Sequence, residues 1–244
     1  MFLGRLRYEL QLMGKRAILP PIITVIAYIL FAILLFYIKT QPARFLESGP
    51  EMILPMIVGM FAGTLISYDP ALELQLTMPH KYHLTGMLRV LLIILWTACI
   101  ALLFINLIAA LKLEYMFQLQ HPQSPIIQFH TRQLVWLSPL FWCVGISTSF
   151  GLLMKSRTAG AALLGGIWIA EIIFKDYIAI TVWLRPFLLF PTTLVLPPTV
   201  VPQAWYEIWL TSRLEVLGTG LLLLCLAWLL LRNPEGLLKT SSEE

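Results

Sequence analysis

Apolar residues fall into six runs separated by polar breaks, at about 18–38, 50–67, 90–111, 134–154, 158–174 and 215–231. A helix rises about 1.5 Å per residue, so roughly 20 apolar residues carry one across the hydrocarbon of a bilayer. The pattern therefore predicts an all-α polytopic membrane protein with six transmembrane helices, forming a single transmembrane domain over 1–244. Composition agrees: 59% of the 244 residues are hydrophobic and 12% charged, and mean hydropathy is +0.82. One soluble core could not cover that much apolar surface.

Two segments complicate the pattern. The stretch 177–196 is apolar and long enough to be a seventh span, but Arg185-Pro186, Pro191 and Pro197-Pro198 interrupt it. A charge and helix breakers at membrane depth are tolerated only where protein or water surrounds them. The region 175–213 therefore reads as short re-entrant or interfacial helices on the outer side. Trp205, Tyr206 and Trp209 would form an aromatic belt entering the last span. At the other end, Phe2, Leu3, Leu6, Leu10 and Met13 have helical spacing opposite Arg5, Arg7, Glu9 and Lys15. Residues 1–17 accordingly read as a helix lying in the membrane interface. No Ala-x-Ala cleavage site closes the apolar run that follows, so this is not a signal peptide.

The net charge is +4, but the basic residues punctuate the ends of the runs and make no nucleic-acid patch. With six spans, Arg5, Arg7, Lys15, Arg16, Lys81, Arg89, Lys155, Arg157, Arg232 and Lys239 share one side. Lys39, Arg44, Lys112, Arg132, Lys175, Arg185 and Arg213 are spread through the longer connections of the other. The bias puts both termini, including the tail 232–244, in the cytoplasm.

No catalytic pattern is present. The sequence has no GxxxxGK[ST], HExxH or GxSxG, so no nucleotide, zinc-protease or hydrolase site is expected in this chain. Cys99, Cys143 and Cys225 fall inside apolar runs without paired spacing and read as small buried hydrophobes. His80 and His83 stand three apart, but Pro79 interrupts a shared helix and no third metal ligand is near. Glu171 is the acid clearly inside a span. Such a residue is a functional candidate by default, although Lys175 four residues on offers a plain intrahelical ion pair. Gly160, Gly165 and Gly166 with Ala159, Ala161 and Ala162 give the fifth span a small-residue face suited to close packing.

The polar island 68–89 carries more information than the other breaks. Asp69 can cap a helix, Pro70 suits its first turn, and Glu73 sits near the positive end of the dipole. Pro79 ends the element after about two turns. As a helix it places Leu72 and Leu76 on one side and Leu74 and Met78 roughly opposite. The alternation Leu-Glu-Leu-Gln-Leu-Thr-Met also fits a strand, but a lone strand among helices has no partner. A helix apolar on two faces has room for two partners: its own bundle and a separate cytoplasmic protein.

An acid after the second span, then Leu-Glu-x-x-Leu-Thr-x-Pro, then a basic stretch entering the third span, resembles the first cytoplasmic loop of ABC-2-type transporter permeases. These are six-helix subunits of the type V exporter class. The residues carrying the resemblance are Glu73, Leu76, Thr77, Met78 and Pro79, with Arg89 at the start of the third span; His80-Lys81-Tyr82 departs from the family pattern. The segments 1–17 and 175–213 resemble the family's elbow helix and outer re-entrant helices. The resemblance implies a membrane subunit without its own cofactor, exporting a hydrophobic or amphipathic substrate from a prokaryotic cytoplasmic membrane. It implies pairing with a second permease copy or related permease, and with cytoplasmic ABC ATPase subunits that hold ATP and Mg. Leu72, Glu73, Leu76, Thr77, Pro79, His80 and Lys81 would form the coupling helix against the ATPase. Two other readings compete: a proton-coupled secondary carrier using Glu171, and a non-transporting membrane accessory subunit.

Overall fold

A computed structural model describes residues 2–38, 43–67, 82–111, 124–194 and 203–232. Among them every regular element is helical. The long helices are α1 (Phe2–Tyr37), α3 (Leu54–Ser67), α4 (Tyr82–Ala110), α5 (Pro125–Met154), α6 (Ala159–Ile180) and α8 (Gln203–Leu231). Short pieces link them: α2 (Ala43–Ser48) runs through a π-helical turn, Gly49–Ile53, into α3, while a 3-10 helix, Val182–Phe187, and α7 (Pro191–Leu194) lie between α6 and α8. Five segments are long and apolar enough to cross a membrane: Ile18–Tyr37, Phe45–Ile66, Tyr82–Ala110, Ile126–Met154 and Trp205–Leu231. The expected fifth span is α6, whose 22 residues carry Glu171, Lys175 and Asp176 and whose helix breaks at Phe174 (φ −107°, ψ 17°). Length suits it to a membrane, and its three charged residues all fall in its second half.

Helix reaches further upstream than hydropathy predicts. The third span is helical already at Tyr82 rather than from 90, so 82–89 is helix and Arg89 is buried. The sixth is helical already at Gln203 rather than from 215, which puts Arg213 inside a helix and not in an outer connection. The fourth starts at Pro125 rather than 134. There Ser124 caps the helix by accepting from the Ile127 N–H (3.4 Å), and Pro125 occupies the first turn. Its C-terminal end at Met154 is where the apolar run stops. Lys155 turns the chain there in the left-handed region (φ 51°), its N–H bonded back to Gly151 and Leu152. The 177–196 stretch is no seventh span: Thr181 (φ −85°, ψ 109°) and Leu188 (φ −82°, ψ 80°) both leave helical geometry. Along α1, Gly14 (φ 58°, ψ −162°) divides Phe2–Tyr37 into a leading helix and the apolar segment.

α5 is the hub of the bundle. In its span 67% of the residues are buried, against 17% in the α1 span and 28% in the α8 span; α5 packs most extensively on α8 and α3. Its buried stripe Trp136, Leu140, Val144 and Leu152 meets Leu54, Val58, Ala62 and Ile66 of α3 and Leu224, Ala227 and Leu231 of α8. These positions recur every three or four residues, one face of each helix. Glycine allows the approach. A Cβ at Gly63 would lie 2.9 Å from the Ser147 carbonyl oxygen, and one at Gly220 would lie 2.7 Å from the Trp142 nitrogen. Lipid tails are as apolar as leucine, so backbone-to-backbone closeness of this kind is what holds membrane helices together. Of the expected small-residue face of α6, Gly160 does pack closely, on Ser147, whereas Gly165 and Gly166 face open space. Ser149 adds a bond across the interface to the Leu223 carbonyl (2.6 Å). Cys143 is buried as expected, but Cys99 and Cys225 lie on the exposed surface.

A buried ion network as the candidate functional site

Three charged side chains from three helices converge on the connector between α6 and α8. Glu51 comes from the π-helical turn, a local widening that adds a residue to the turn and is frequent at functional sites. Glu171 comes from α6, one turn before the break at Phe174. Arg213 comes from the third turn of α8. Their exposures are 0%, 1% and 0%. Burial this complete is rare for charged groups unless they are paired, and here their partners are largely backbone.

Glu51 receives the Thr192 N–H on one oxygen (3.0 Å) and the Thr193 N–H on the other (2.7 Å). The Thr193 hydroxyl also donates to it, and Arg213 Nη2 closes an ion pair with the same carboxylate. Arg213 Nη1 donates to the Leu189 carbonyl (2.7 Å). Glu171 Oε1 accepts the Phe190 N–H (2.8 Å). Trp209 Nε1 donates to Thr192 Oγ1 (3.1 Å), and the Arg213 guanidinium lies 5.7 Å from the centre of the Trp209 ring. Tyr206 stacks on Trp209 at 5.9 Å. The apolar side chains of the connector, Leu189 and Phe190, sink into a second core with Met56, Trp142, Cys143, Leu164 and Val216.

Three sequence expectations change here. The Glu171–Lys175 pair does not form: Glu171 turns to Phe190, and Lys175 Nζ donates to the Leu194 carbonyl (3.4 Å). Of the expected aromatic belt only Trp205 is exposed, because Tyr206 and Trp209 are buried over the network. Arg213 belongs to the core. His83 lies against the edge of the Trp228 ring, 6.0 Å between centres, and among the described residues no cluster of three His, Cys, Asp or Glu could hold a metal ion. The coupling-helix residues Leu72, Glu73, Leu76, Thr77, Pro79, His80 and Lys81 lie outside the described residues.

Sequence reasoning singled out Glu171 but missed Glu51 and Arg213, which stand 162 residues apart. A signal existed: an acid and an arginine beside two spans, at the same predicted end as Glu171. The arrangement can fasten the connector to α3, α6 and α8 and can exchange charge or protons. No protein-family model, curated protein or solved structure matches this chain.

Proposed function

We propose that this chain is the membrane-spanning subunit of an ATP-binding cassette exporter of the ABC-2 type, with α6 serving as its fifth span and so bringing the number of spans to six. In this reading it moves a hydrophobic or amphipathic substrate outward from a prokaryotic cytoplasmic membrane. It pairs with a second permease and is driven by separate cytoplasmic ATPase subunits that hold ATP and Mg. The observation that carries the reading is the connector itself: two short helices between the last two long ones, folded back into an all-helical bundle and tied there by Glu51, Glu171 and Arg213. The break at Gly14 supports an elbow at the N-terminal end of the bundle, and the sequence from Glu73 to Pro79 supports a coupling helix between the second and third spans.

In this scheme both termini and the 68–89 loop face the cytoplasm. The ATPase drives the bundle only by binding one of its conformations better than the other, since equal affinity shifts nothing. Leu72 and Leu76 contact the ATPase cleft, and Glu73, His80 and Lys81 set the register. The reading expects an ATPase gene beside this one, and co-expression with that ATPase tests it. The wild-type chain should co-purify with that ATPase in a complex that hydrolyses ATP. Glu73→Ala with Leu76→Asp should abolish co-purification while the isolated chain keeps its unfolding midpoint. Intact association in that variant contradicts the coupling-helix assignment.

One observation favours a second reading, a proton-coupled carrier: Glu171 is buried and its Oε2 has no hydrogen-bond partner among the described residues. Substrate uptake into vesicles with a proton gradient and no ATP would separate the two, because only the carrier would run.

A further inference from the structure

Charge does not balance inside the buried network. Glu51 and Glu171 bring two carboxyl groups, both essentially without exposure, against the single guanidinium of Arg213. That guanidinium is committed: Nη2 pairs with Glu51, and Nη1 bonds the Leu189 carbonyl. Glu171 therefore has charge neighbours but no ion pair of its own. Along α6, Lys175 is turned to the Leu194 carbonyl. From α5 the facing titratable group is the buried thiol of Cys143. From α8 the facing charge is Arg213, and from the turn before α3 it is Glu51. The connector offers the Phe190 N–H and, less directly, the Leu189 N–H.

Glu171 Oε1 accepts from Phe190, and Oε2, fully buried, completes no hydrogen bond among the described residues. An ionised carboxylate with one bare oxygen in a low-dielectric interior is far costlier than a neutral carboxyl group in the same place. Removing the charge requires only a proton from solvent. An O–H bond forms on Oε2 as a solvent hydronium ion gives up its proton and becomes water, and Oε1 still accepts the Phe190 N–H.

We propose that Glu171 is a proton-binding site, carrying its proton on Oε2 whenever the connector is docked on the bundle. The bound ligand is one hydrogen ion, and its role is to leave Arg213 to Glu51. Loss of the proton would set a second negative charge beside Glu51, in competition for the one guanidinium. Docking of the connector and proton occupancy of Glu171 are then linked, each favouring the other. This holds whichever motor drives the bundle, so it stands apart from the exporter reading.

Infrared spectroscopy of the full chain in lipid nanodiscs tests it. The wild type should show a protonated-carboxyl C=O stretch that shifts in deuterated buffer, and Glu171→Gln should remove a component of that band. Glutamine keeps the acceptor for Phe190 and replaces a neutral O–H by a neutral N–H, so its thermal midpoint should stay close to that of wild type. Absence of the band in wild type would overturn the proposal, as would a Glu171→Gln spectrum that superimposes on it. Failure of Glu171→Gln to fold, or a large fall in its midpoint, would overturn it as well, because a neutral isostere would then have failed to replace a neutral group.

Discussion

The interface of α5 with α3 and α8 and the connector between α6 and α8 are both buried, yet they are held by different physics. The first is glycine, alanine and branched aliphatics, with backbones so close that a Cβ at Gly220 would sit 2.7 Å from the Trp142 nitrogen. Its backbone groups are already paired along each helix, so nothing polar is needed between the helices. The connector is short and broken and pairs its own backbone only in part, as from the Leu188 N–H to Arg185 and from the Leu194 N–H to Phe190. Its Phe190, Thr192 and Thr193 N–H groups go to the carboxylates of Glu171 and Glu51, and its Leu189 and Leu194 carbonyls go to Arg213 and Lys175. Charge enters the interior where helix is missing, because an unmade backbone bond there costs free energy.

Breaking the charged region should cost most. Arg213→Met leaves Glu51 and Glu171 facing each other without a cation. Removing one partner of a buried pair destabilises by about 3–5 kcal/mol. Denaturant unfolding in detergent micelles should register that loss or fail to yield folded protein. In the close-packed region Gly220→Ala drives a methyl group into the Trp142 backbone, which cannot move aside as a side chain could. The expected loss, about 1–3 kcal/mol, is that of an overpacked core. Gly166→Ala sharpens the contrast with the smallest effect and the opposite sign. A Cβ there meets nothing within 4 Å, so helix propensity alone should stabilise by up to about 1 kcal/mol.

These two regions were not equally legible in the sequence. The apolar runs located the five long apolar helices, because each helix answers only to its own residues and to the solvent around it. The tight turn at Lys155 followed from the same runs. Helix starts were misplaced at 90, 134 and 215 because hydropathy fades before the helix does; at the fourth span the Ser124 cap and Pro125 mark the limit. The connector was readable as short and broken from its prolines. Its fastening was not: Glu51 and Arg213 meet across 162 residues, and no local pattern encodes such a distance. Glu171 stood out as an intramembrane acid, but the nearest sequence partner, Lys175, was the wrong one, since the connector's carbonyl at Leu194 competes for it.

Amide hydrogen exchange in Glu51→Ala tests the central claim, that buried charge holds the connector by its backbone. Loss of a charge-assisted bond worth about 1.5–3 kcal/mol should speed exchange at Thr192 and Thr193 by roughly ten- to a hundredfold. Amides of α3, α5 and α8 away from the network should keep their protection. Unchanged protection at Thr192 and Thr193, or an equal loss throughout the bundle, would contradict it.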